Sequence, residues 1–396
     1  MSLDENNPAA IAARHLAKRR IGPAIEAFRQ ALSRNPKDFD SRLGLSKALL
    51  LAADPDGAVV ELETLYAQAP DHPQAAEALA GAYRRDARHR DVLALAAKIA
   101  QPSPQLLYDI GMAQVALGDA QAALAAFDAA LEIKPDLAAA WVGSHAPALD
   151  LMGWLEARRR IEKAMGCSGA NRKYAGLLAA YQTLLGEPDR TEPPPQHRYL
   201  QEGAEALLPH LDDGFRLFGV PGNLLRWALA QAQVTGLVLE FGVRRGASLT
   251  QLALAAGQDV HGFDSFEGLP EDWVNTRSGL LTTGLMLPEV PANAHLHAGW
   301  FEDSLPGFFA AHQDAVRFAN IDSDIYSSAK TALGFMQDRL RPGSVLVFDE
   351  FIGNRSWRDD EFRAFHEFAA ETGWDWRIIA AGPATKQVAI KLIRSV

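Results

Sequence analysis

The sequence predicts an α-helical solenoid in the first half of the chain and a doubly wound α/β sheet in the second half. In the first half, alanine-rich segments of helix length recur with prolines, and Pro36 and Pro70 lie 34 residues apart. In the second half, short apolar runs alternate with helix-like segments, which favours a parallel sheet covered by helices on both faces. Between them, "GEPDRTEPPPQHRYL" (186–200) concentrates prolines and charges that interrupt a helix. We therefore predict a repeat domain over residues 1–190 and a second domain over residues 191–396.

The composition indicates a cytoplasmic protein that binds neither nucleic acid nor membrane. The chain has 396 residues, of which 48% are hydrophobic and 22% charged, and no apolar run approaches the roughly 18 residues of a membrane span. Residues 1–190 hold 22 Lys+Arg and 23 Asp+Glu (−1), and residues 191–396 hold 17 and 26 (−9), which gives the net charge of −10. Because the second half is this acidic, it lacks the cationic contacts on which binding to the phosphate backbone of a nucleic acid depends. Cys167 is the only cysteine, which excludes an intramolecular disulfide and a thiolate zinc cluster.

The clearest repeat unit of the first half is "PQLLYDIGMAQVALGDAQAALAAFDAALEIKP" (104–135). Small residues at Gly111, Ala123 and Ala130 let two antiparallel helices approach closely, and Pro135 ends the second helix. Looser copies and a final helix occupy residues 5–36, 39–70, 71–103, 138–169 and 172–186. These roughly five helical pairs resemble the tetratricopeptide repeat, whose units must stack to be stable. The resemblance implies a concave surface for a protein or peptide partner, with a packing or homo-oligomerisation scaffold as the alternative.

The second half alternates predicted strands with predicted helices. The strands are expected over residues 236–243, 259–266, 294–301, 316–324 and 343–351. The helices are expected over residues 247–257, 327–340 and 359–373. Two further apolar runs, "WDWRIIAA" and "KQVAIKLIRS", predict a hairpin that closes the chain. In a sheet of this kind, ligands bind at the carboxyl ends of the strands.

One such strand end is "LVLEFGVRRGAS" (237–248), where a strand runs through a glycine loop into a helix. Gly242 and Gly246 allow the backbone to approach a ligand closely, and the helix N-terminus suits a nucleotide-like group. The next predicted strand brings Asp264, an acid suited to two ribose hydroxyls. The loop lacks the G-x-G-x-x-G spacing of dinucleotide folds, which disfavours an NAD-dependent oxidoreductase without eliminating it.

Five blocks occur in one order between residues 236 and 352: "LEFGVRRGAS", "GFDSFEGLPEDW", "GWFEDSLP", "NIDSDIYSSAKTAL" and "RLRPGSVLVFDEF". Together they resemble the class I S-adenosylmethionine-dependent methyltransferases, and more closely the macrocin O-methyltransferase family. The resemblance implies a Rossmann-like sheet of seven strands whose last strand is antiparallel. It also implies methyl transfer to a hydroxyl of a small molecule, either a sugar or another secondary metabolite.

By position, the resemblance assigns cofactor contacts to Glu240, Gly242, Gly246, Asp264, Ser265, Trp300 and Phe301. Glu240, Gly242 and Gly246 would line the methionine and ribose side of the cofactor, and Asp264 would hold the ribose hydroxyls. The two aromatic residues would contact the adenine, with ordinary core packing as the alternative. Asp322 would face the reacting methyl group as the catalytic residue.

The resemblance further implies a magnesium site formed by Asp322, Asp349 and Glu350. Three carboxylates at neighbouring strand ends form a hard-oxygen site, and a cation there would lower the pKa of a substrate hydroxyl. Glu350 departs from the family pattern, which has aspartate at that place. The alternative is that these acids cap helices and bind no metal. Asp324 is a fourth nearby carboxylate without an assigned role, and no base is identified, although His366 is a candidate.

Two segments are expected to lie over the site. Residues 275–294 are predicted to form a substrate lid. Residues 354–362 would place Trp357 and Arg358 where they could contact the substrate. Two further functions stay open: methylation of a protein that the repeats recruit, and a non-catalytic repeat adaptor that binds the cofactor without turnover.

Overall fold

The computed structural model describes residues 7–273 and 276–395. The chain divides into two compact units, residues 1–113 with 269–281, and residues 114–268 with 282–396. The last helices of the repeat region therefore belong to the same unit as the sheet. The predicted domain boundary between residues 190 and 191 stays a prediction.

The first unit is helical. Its helices are α1 (Pro8–Ala17), α2 (Ile21–Arg34), α3 (Phe39–Leu51), α4 (Pro55–Gln68), α5 (Pro73–Arg85) and α6 (His89–Ala96), and α7 (Pro104–Ala116) crosses the boundary. Proline is tolerated in the first helical turn, where its missing N–H has no partner in any case, and it begins α4 and α5. A side chain at Gly44 would overlap the ring of Phe28, so a small residue lets α2 and α3 approach closely. The helical repeats predicted from small residues and prolines are confirmed.

The second unit begins with four further helices of the same kind. They are α8 (Ala120–Ile133), α9 (Ala138–Met152), α10 (Trp154–Gly166) and α11 (Lys173–Leu184). The helix predicted near residues 172–186 is α11. After it the chain is irregular up to a 3₁₀ turn at Pro195–His197, which leads into α12 (Arg198–Leu207).

The sheet has eight strands. They are β1 (Leu211–Leu217), β2 (Leu237–Phe241), β3 (Val260–Asp264), β4 (Ala294–Ala298), β5 (Val316–Ile321), β6 (Val345–Phe348), β7 (Trp374–Ala381) and β8 (Val388–Ser395). Their order is β1-β7-β8-β6-β5-β2-β3-β4, and β8 alone among these pairings runs antiparallel to its neighbours. The closing hairpin and the antiparallel last strand are confirmed. The expected count of seven missed β1, because "LDDGFRL" lacks an apolar alternation and extends only by pairing with β7.

Helices cover both faces of this sheet. They are α13 (Pro221–Gln231), α14 (Ala247–Ala256), α15 (Phe301–Ala311), α16 (Tyr326–Met336) and α17 (Glu361–Thr372). On one face, α13 and α14 bury Leu224 and Leu252 in a core that includes Val238 of β2. On the other face, the remaining three helices and α12 share a second core with Leu239 of β2. Alternate residues of one strand thus enter opposite cores, as a doubly wound sheet requires, and the predicted fold class is confirmed. Among the described residues, no helix combines the length and apolarity that a membrane crossing needs.

Candidate active site at the carboxyl edge of the sheet

The acids singled out in the sequence meet at one edge of the sheet. Glu240 lies in β2 and Asp264 ends β3, while Asp322 and Asp349 directly follow β5 and β6. The ladder of hydrogen bonds continues past the strands, because the Asp322 N–H donates to the Phe241 carbonyl at 2.8 Å and the Asp349 N–H to the Ile321 carbonyl at 3.0 Å. Adjacent parallel strands therefore present these side chains side by side.

The glycine loop between β2 and α14 needs both of its glycines. Gly242 has a φ of +95°, and a side chain there would overlap the carbonyl oxygen of Asp322. Gly246 has a φ of +72° and occupies the residue before the first turn of α14. A Cβ at Gly246 would also stand 3.1 Å from Val290 and 3.2 Å from Pro288. The loop thus lies tightly against both the end of β5 and the segment that precedes β4.

Asp264 organises this loop through its carboxylate. Its Oδ2 accepts the N–H groups of Val243 at 2.8 Å and Arg244 at 2.7 Å, and its Oδ1 accepts the N–H of Phe266 at 2.6 Å. Hydrogen bonds to a charged acceptor are stronger than neutral ones, so the carboxylate fixes the loop conformation. A carboxylate offers about four acceptor positions, so these three backbone bonds leave capacity for a ligand hydroxyl. Neighbouring Ser265 is buried and accepts the N–H of Glu267 at 3.2 Å.

Glu240 is a fully buried acid behind the glycine loop. The Asn320 side-chain amide donates to its Oε1 at 2.8 Å, whereas its Oε2 is buried without a hydrogen-bond partner among the described residues. Burial raises the pKa of Glu240 to about 8, and hydrogen bonds from Ser248 and Asn320 offset only part of that rise. The group is therefore protonated at neutral pH and can donate a hydrogen bond to a ligand.

Four further carboxyl groups stand close together above the ends of β5 and β6. Burial, reinforced by neighbouring carboxylates, raises the pKa of Asp324 to about 7 and that of Asp349 to about 6. The same two causes, in the same order, raise the pKa of Asp322 and of Glu361 well above their usual values. Glu361 accepts the backbone N–H of Glu350 at 2.9 Å and so holds the loop after β6. Such a group of acids can take up a proton near neutral pH.

Glu350 borders this group of acids but is paired outside it. Its carboxylate forms an ion pair with Lys386, which lies just before β8, and accepts the Asn354 amide at 3.1 Å. The described residues contain no group of three or more His, Cys, Asp or Glu side chains arranged to hold a metal ion. The predicted magnesium ligands Asp322, Asp349 and Glu350 are thus neighbours along the edge, but they do not form a ligand set, because Lys386 holds the longer Glu350 side chain.

The two aromatic residues after β4 differ in their surroundings. Phe301 packs against the core, with its ring centroid 5.6 Å from that of Phe241 in an edge-on contact. Trp300 is half-buried and stands as the residue before α15. The adenine contact predicted for the pair stays a prediction, for which the less buried Trp300 is the better placed.

The predicted lid is an irregular segment without helix or strand over its described part, residues 276–293, and Asn275 lies outside the described residues. The Leu285 N–H donates to the carbonyl of Phe266 at 3.3 Å, which ties the segment to the loop after β3. Leu285, Met286 and Leu287 are 65%, 68% and 55% exposed. An exposed apolar stretch beside the glycine loop suits contact with an apolar part of a substrate.

The contacts predicted after β6 take other roles. Trp357 is buried in the core, and Arg358 stacks over its ring and pairs with Glu202 at 3.1 Å. The Nδ1–H of His366 donates to the Phe362 carbonyl at 2.8 Å, and the imidazole stacks on the Phe362 ring. These residues therefore support the helix packing behind the site.

Sequence reasoning missed Asn320, Glu361 and Lys386 as partners of the acids. Asn320 left a signal, since it is a polar residue inside the buried strand "VRFANI". The sequence contains no such signal for Lys386, because 36 residues separate it from Glu350.

Comparison with known proteins agrees with this arrangement. Residues 239–351 match a family described as a methyltransferase domain. Residues 15–82 and 104–137 match families described as tetratricopeptide repeats. The edge with the acids thus lies in a segment similar to a methyltransferase domain, and the helical region contains segments similar to tetratricopeptide repeats. The match of the methyltransferase domain does not single out the macrocin family.

One curated relative of the methyltransferase domain is the 8-demethyl-8-(2,3-dimethoxy-alpha-L-rhamnosyl)-tetracenomycin-C 4'-O-methyltransferase of Streptomyces olivaceus. It is 29% identical over 147 residues, which cover 30% of this chain and 54% of the relative. The chain thus spans about half the length of that relative.

Two solved structures are among those to which the chain is similar. The calicheamicin methyltransferase CalS11 is 20% identical, with a TM-score of 0.36 over 55% of this chain and 91% of that one. TTC0263, a thermophilic TPR protein of Thermus thermophilus, is 21% identical, with a TM-score of 0.37 over 43% of this chain and 94% of that one.

Proposed function

We propose that this chain is an S-adenosylmethionine-dependent O-methyltransferase that acts on a hydroxyl of a sugar or other secondary metabolite. The observation that carries the proposal is the loop that Asp264 holds between β2 and α14, with Gly242 and Gly246 at positive φ. It supplies a close backbone approach, a free acceptor position on a carboxylate and a helix N-terminus in one place. The matched methyltransferase domain and the sugar O-methyltransferase relative support the same chemistry.

The residues at this loop fit the adenosyl cofactor. The free acceptor position of Asp264 would hold the ribose hydroxyls, and Trp300 would contact the adenine. The unpartnered Oε2 of Glu240 is a buried polar atom that a bound ligand would satisfy. S-adenosylmethionine supplies a methyl group activated by its sulfonium. Ser265 and Phe301 would support the loop and the core behind the cofactor.

The acids at the ends of β5 and β6 would act on the acceptor hydroxyl. Methyl transfer to oxygen needs the hydroxyl proton to be removed and the oxygen to be held in line with the methyl group. Asp322, which stands beside Gly242, would face the acceptor, and the neighbouring carboxylates of Asp349 and Asp324 add to the effect of burial in raising its pKa. Carboxylates whose pKa values lie near 6 and 7 can accept a proton at neutral pH.

Magnesium stays a prediction that this mechanism does not use. Asp322 and Asp349 are hard-oxygen donors, but Glu350 is engaged by Lys386 and does not complete a ligand set.

A protein acceptor is the second candidate, and the tetratricopeptide matches favour it. Because α8 to α11 share a compact unit with the sheet, deletion of residues 1–190 would cut through that unit. The full-length chain should therefore be assayed with small hydroxyl acceptors alone. Turnover without any added protein would contradict an obligatory protein substrate.

The first test is calorimetric titration of the full-length protein with S-adenosylhomocysteine, beside NAD. We expect the adenosyl ligand to bind and NAD to bind weakly or not at all. The matched variants are Asp264→Asn, which should lose affinity at least tenfold, and Asp375→Asn on the exposed part of β7, which should not. Preferential NAD binding would refute the proposal in favour of an oxidoreductase. Adenosyl binding without turnover on any acceptor would favour the adaptor.

A further inference from the structure

A cavity of about 600 Å³ lies where β1 and α13 meet helix α9, and its lining residues all belong to the second compact unit. Asp150 of α9 fixes one wall, because its carboxylate accepts the N–H groups of Gly219 at 2.7 Å and Val220 at 3.1 Å. A side chain at Gly219 would overlap the carbonyl oxygen of Ala146, so the turn before α13 lies directly against α9. The backbone around the cavity is therefore held in place, and the volume is typical of small-molecule sites.

This cavity is separate from the acids and the glycine loop. In the order of the sheet, β1 stands three strand positions from β6 and five from β2, which at about 4.8 Å per strand is roughly 14 Å and 24 Å. Strand β1 runs parallel to β7, and β7 and β6 are both antiparallel to β8. The carboxyl end of β1 therefore lies at the same edge of the sheet as the acids, and a ligand in the cavity would occupy a second site along that edge.

Aromatic and aliphatic side chains form the apolar part of the lining. Phe218 and Trp227 are both half-buried, and their ring centroids lie 5.5 Å apart with an interplanar angle of 44°. Leu149 and Leu217 extend this apolar surface. Covering such rings with a flat apolar ligand removes apolar surface from water and permits ring-to-ring contact.

Arg216 is the exposed cation of the lining. Its guanidinium stacks over Trp227, with Cζ 5.5 Å from the ring centroid. Within the described part of the chain, its side chain forms no hydrogen bond or ion pair. Stacking occupies the face of the guanidinium and leaves the N–H groups at its edge available, and these can hold a carboxylate through two parallel hydrogen bonds.

The other charged groups of the lining already have partners. Arg226 donates to three neutral acceptors, among them the Gly118 carbonyl at 3.1 Å. The Asp150 carboxylate accepts the Asn223 amide at 2.6 Å besides its two backbone bonds, and its charge acts on Arg226. Asp150 and Arg226 offset each other, so the lining keeps one net positive charge, that of Arg216.

We propose that this cavity binds a carboxylate attached to a flat aromatic body. Arg216 would hold the carboxylate, and the rings of Trp227 and Phe218 would cover the aromatic body. The single net charge suits a monoanion, and about 600 Å³ accommodates two or more fused rings. The site does not depend on the proposed methyltransferase function, so either can fail alone.

The test is calorimetric titration of the full-length protein at low ionic strength with three probes: 2-naphthoate, its uncharged counterpart 2-naphthamide, and acetate. Arg216→Met removes the charge from an exposed position and keeps an unbranched side chain beside Trp227. Trp227→Leu removes the ring. Arg29→Met makes the same chemical change at an exposed position on α2 and serves as the matched control.

We expect 2-naphthoate to bind at least about threefold more tightly than 2-naphthamide, which is the gain that an exposed ion pair gives at low ionic strength. Acetate should bind far more weakly than either, because it lacks the ring. Arg216→Met should remove the preference for 2-naphthoate and leave 2-naphthamide unchanged. Trp227→Leu should weaken both ring compounds by about fivefold, and Arg29→Met should change neither.

Three results would overturn the inference. The first is no binding of 2-naphthoate, and the second is equal binding of 2-naphthoate and 2-naphthamide to the parent protein. The third is a preference for 2-naphthoate that survives Arg216→Met or is lost equally in Arg29→Met, since either outcome would remove Arg216 from the site.

Discussion

Replacing Gly242 with alanine should damage the site more than any other small change at the glycine loop. The residue has a φ of +95°, where an L side chain is strained by about 1–3 kcal/mol. The added Cβ would also lie closer than 3.0 Å to the carbonyl oxygen of Asp322. Relief requires the end of β2 to move. That movement disturbs the bond from the Asp322 N–H to the Phe241 carbonyl, 2.8 Å, on the β5 side and the bond from the Gly242 N–H to the Phe263 carbonyl, 2.9 Å, on the β3 side.

Loss of those two hydrogen bonds adds about 1 kcal/mol each, so the free energy of unfolding should fall by about 3–5 kcal/mol. The matched control is Gly257→Ala, which ends α14 at a φ of +65° with no atom within 4 Å of the added Cβ. It carries only the strain of the left-handed conformation, about 1–2 kcal/mol.

The assay combines urea unfolding, followed by tryptophan fluorescence, with titration of S-adenosylhomocysteine. Gly242→Ala should lose about 2 kcal/mol more stability than Gly257→Ala, because the control carries only the backbone strain. It should also lose adenosyl affinity at least tenfold, while Gly257→Ala retains it. Equal stability loss in the two variants would show that the Asp322 carbonyl does not exclude a side chain. Unchanged adenosyl affinity in Gly242→Ala would remove the loop from the cofactor site.

Four further outcomes follow. The folded protein keeps Glu240 protonated up to about pH 8, whereas the unfolded chain releases that proton near pH 4.5, so the free energy of unfolding declines as pH rises between these values. The urea midpoint of Glu240→Gln, measured relative to that of the parent, should therefore be higher at pH 8 than at pH 5. Turnover should rise with pH between about 6 and 7 as Asp349 and Asp324 lose their protons, and a rate unchanged across that range would exclude them as the proton acceptor. Burial and the neighbouring histidines lower the pKa of His261 to about 4, so the protein should lose stability as pH falls from about 6.5 to 4. Thermal melting should show a smaller loss of stability over this range for His261→Phe than for the parent. An equal loss in the two proteins would contradict the lowered pKa. If the predicted magnesium is used, EDTA should lower turnover and Mg²⁺ restore it, and Glu350→Gln should leave that response unchanged, because Lys386 already engages the carboxylate.

The histidine prediction depends on a cluster that strand pairing creates. His261 of β3 lies opposite His295 of β4, and its Nδ1 is 3.2 Å from His297 Nε2. His312 after α15 is 5.2 Å away between ring centroids, and Asp259 provides the neighbouring acid. Protonation of His261 therefore places a positive charge beside three other imidazole rings.

Much of the fold could be predicted because its signals are local. Small residues and prolines at repeat spacing indicate helices that need only their neighbours, and α2, α4 and α8 end just before Pro36, Pro70 and Pro135. Apolar strands that end in a glycine or an acid indicate the carboxyl edge, since parallel strands all end there. Glu240, Asp264, Asp322 and Asp349 could therefore be placed together without knowledge of any long-range contact.

The tertiary structure decided the features that depend on distant partners. Strand β1 exists because β7 offers it hydrogen bonds, and Glu350 is paired outside the group of acids because Lys386, 36 residues later, engages it. The protonation of Glu240 depends on burial between two cores, and the close approach of α11 to the turn at His197 depends on Gly176, where a side chain would meet the His197 carbonyl. The sequence by itself determined which chemistry stands at the strand ends, because local pattern fixes where a strand stops. Only the packing of residues far apart in the chain decided the charge, the direction and the partners of those side chains.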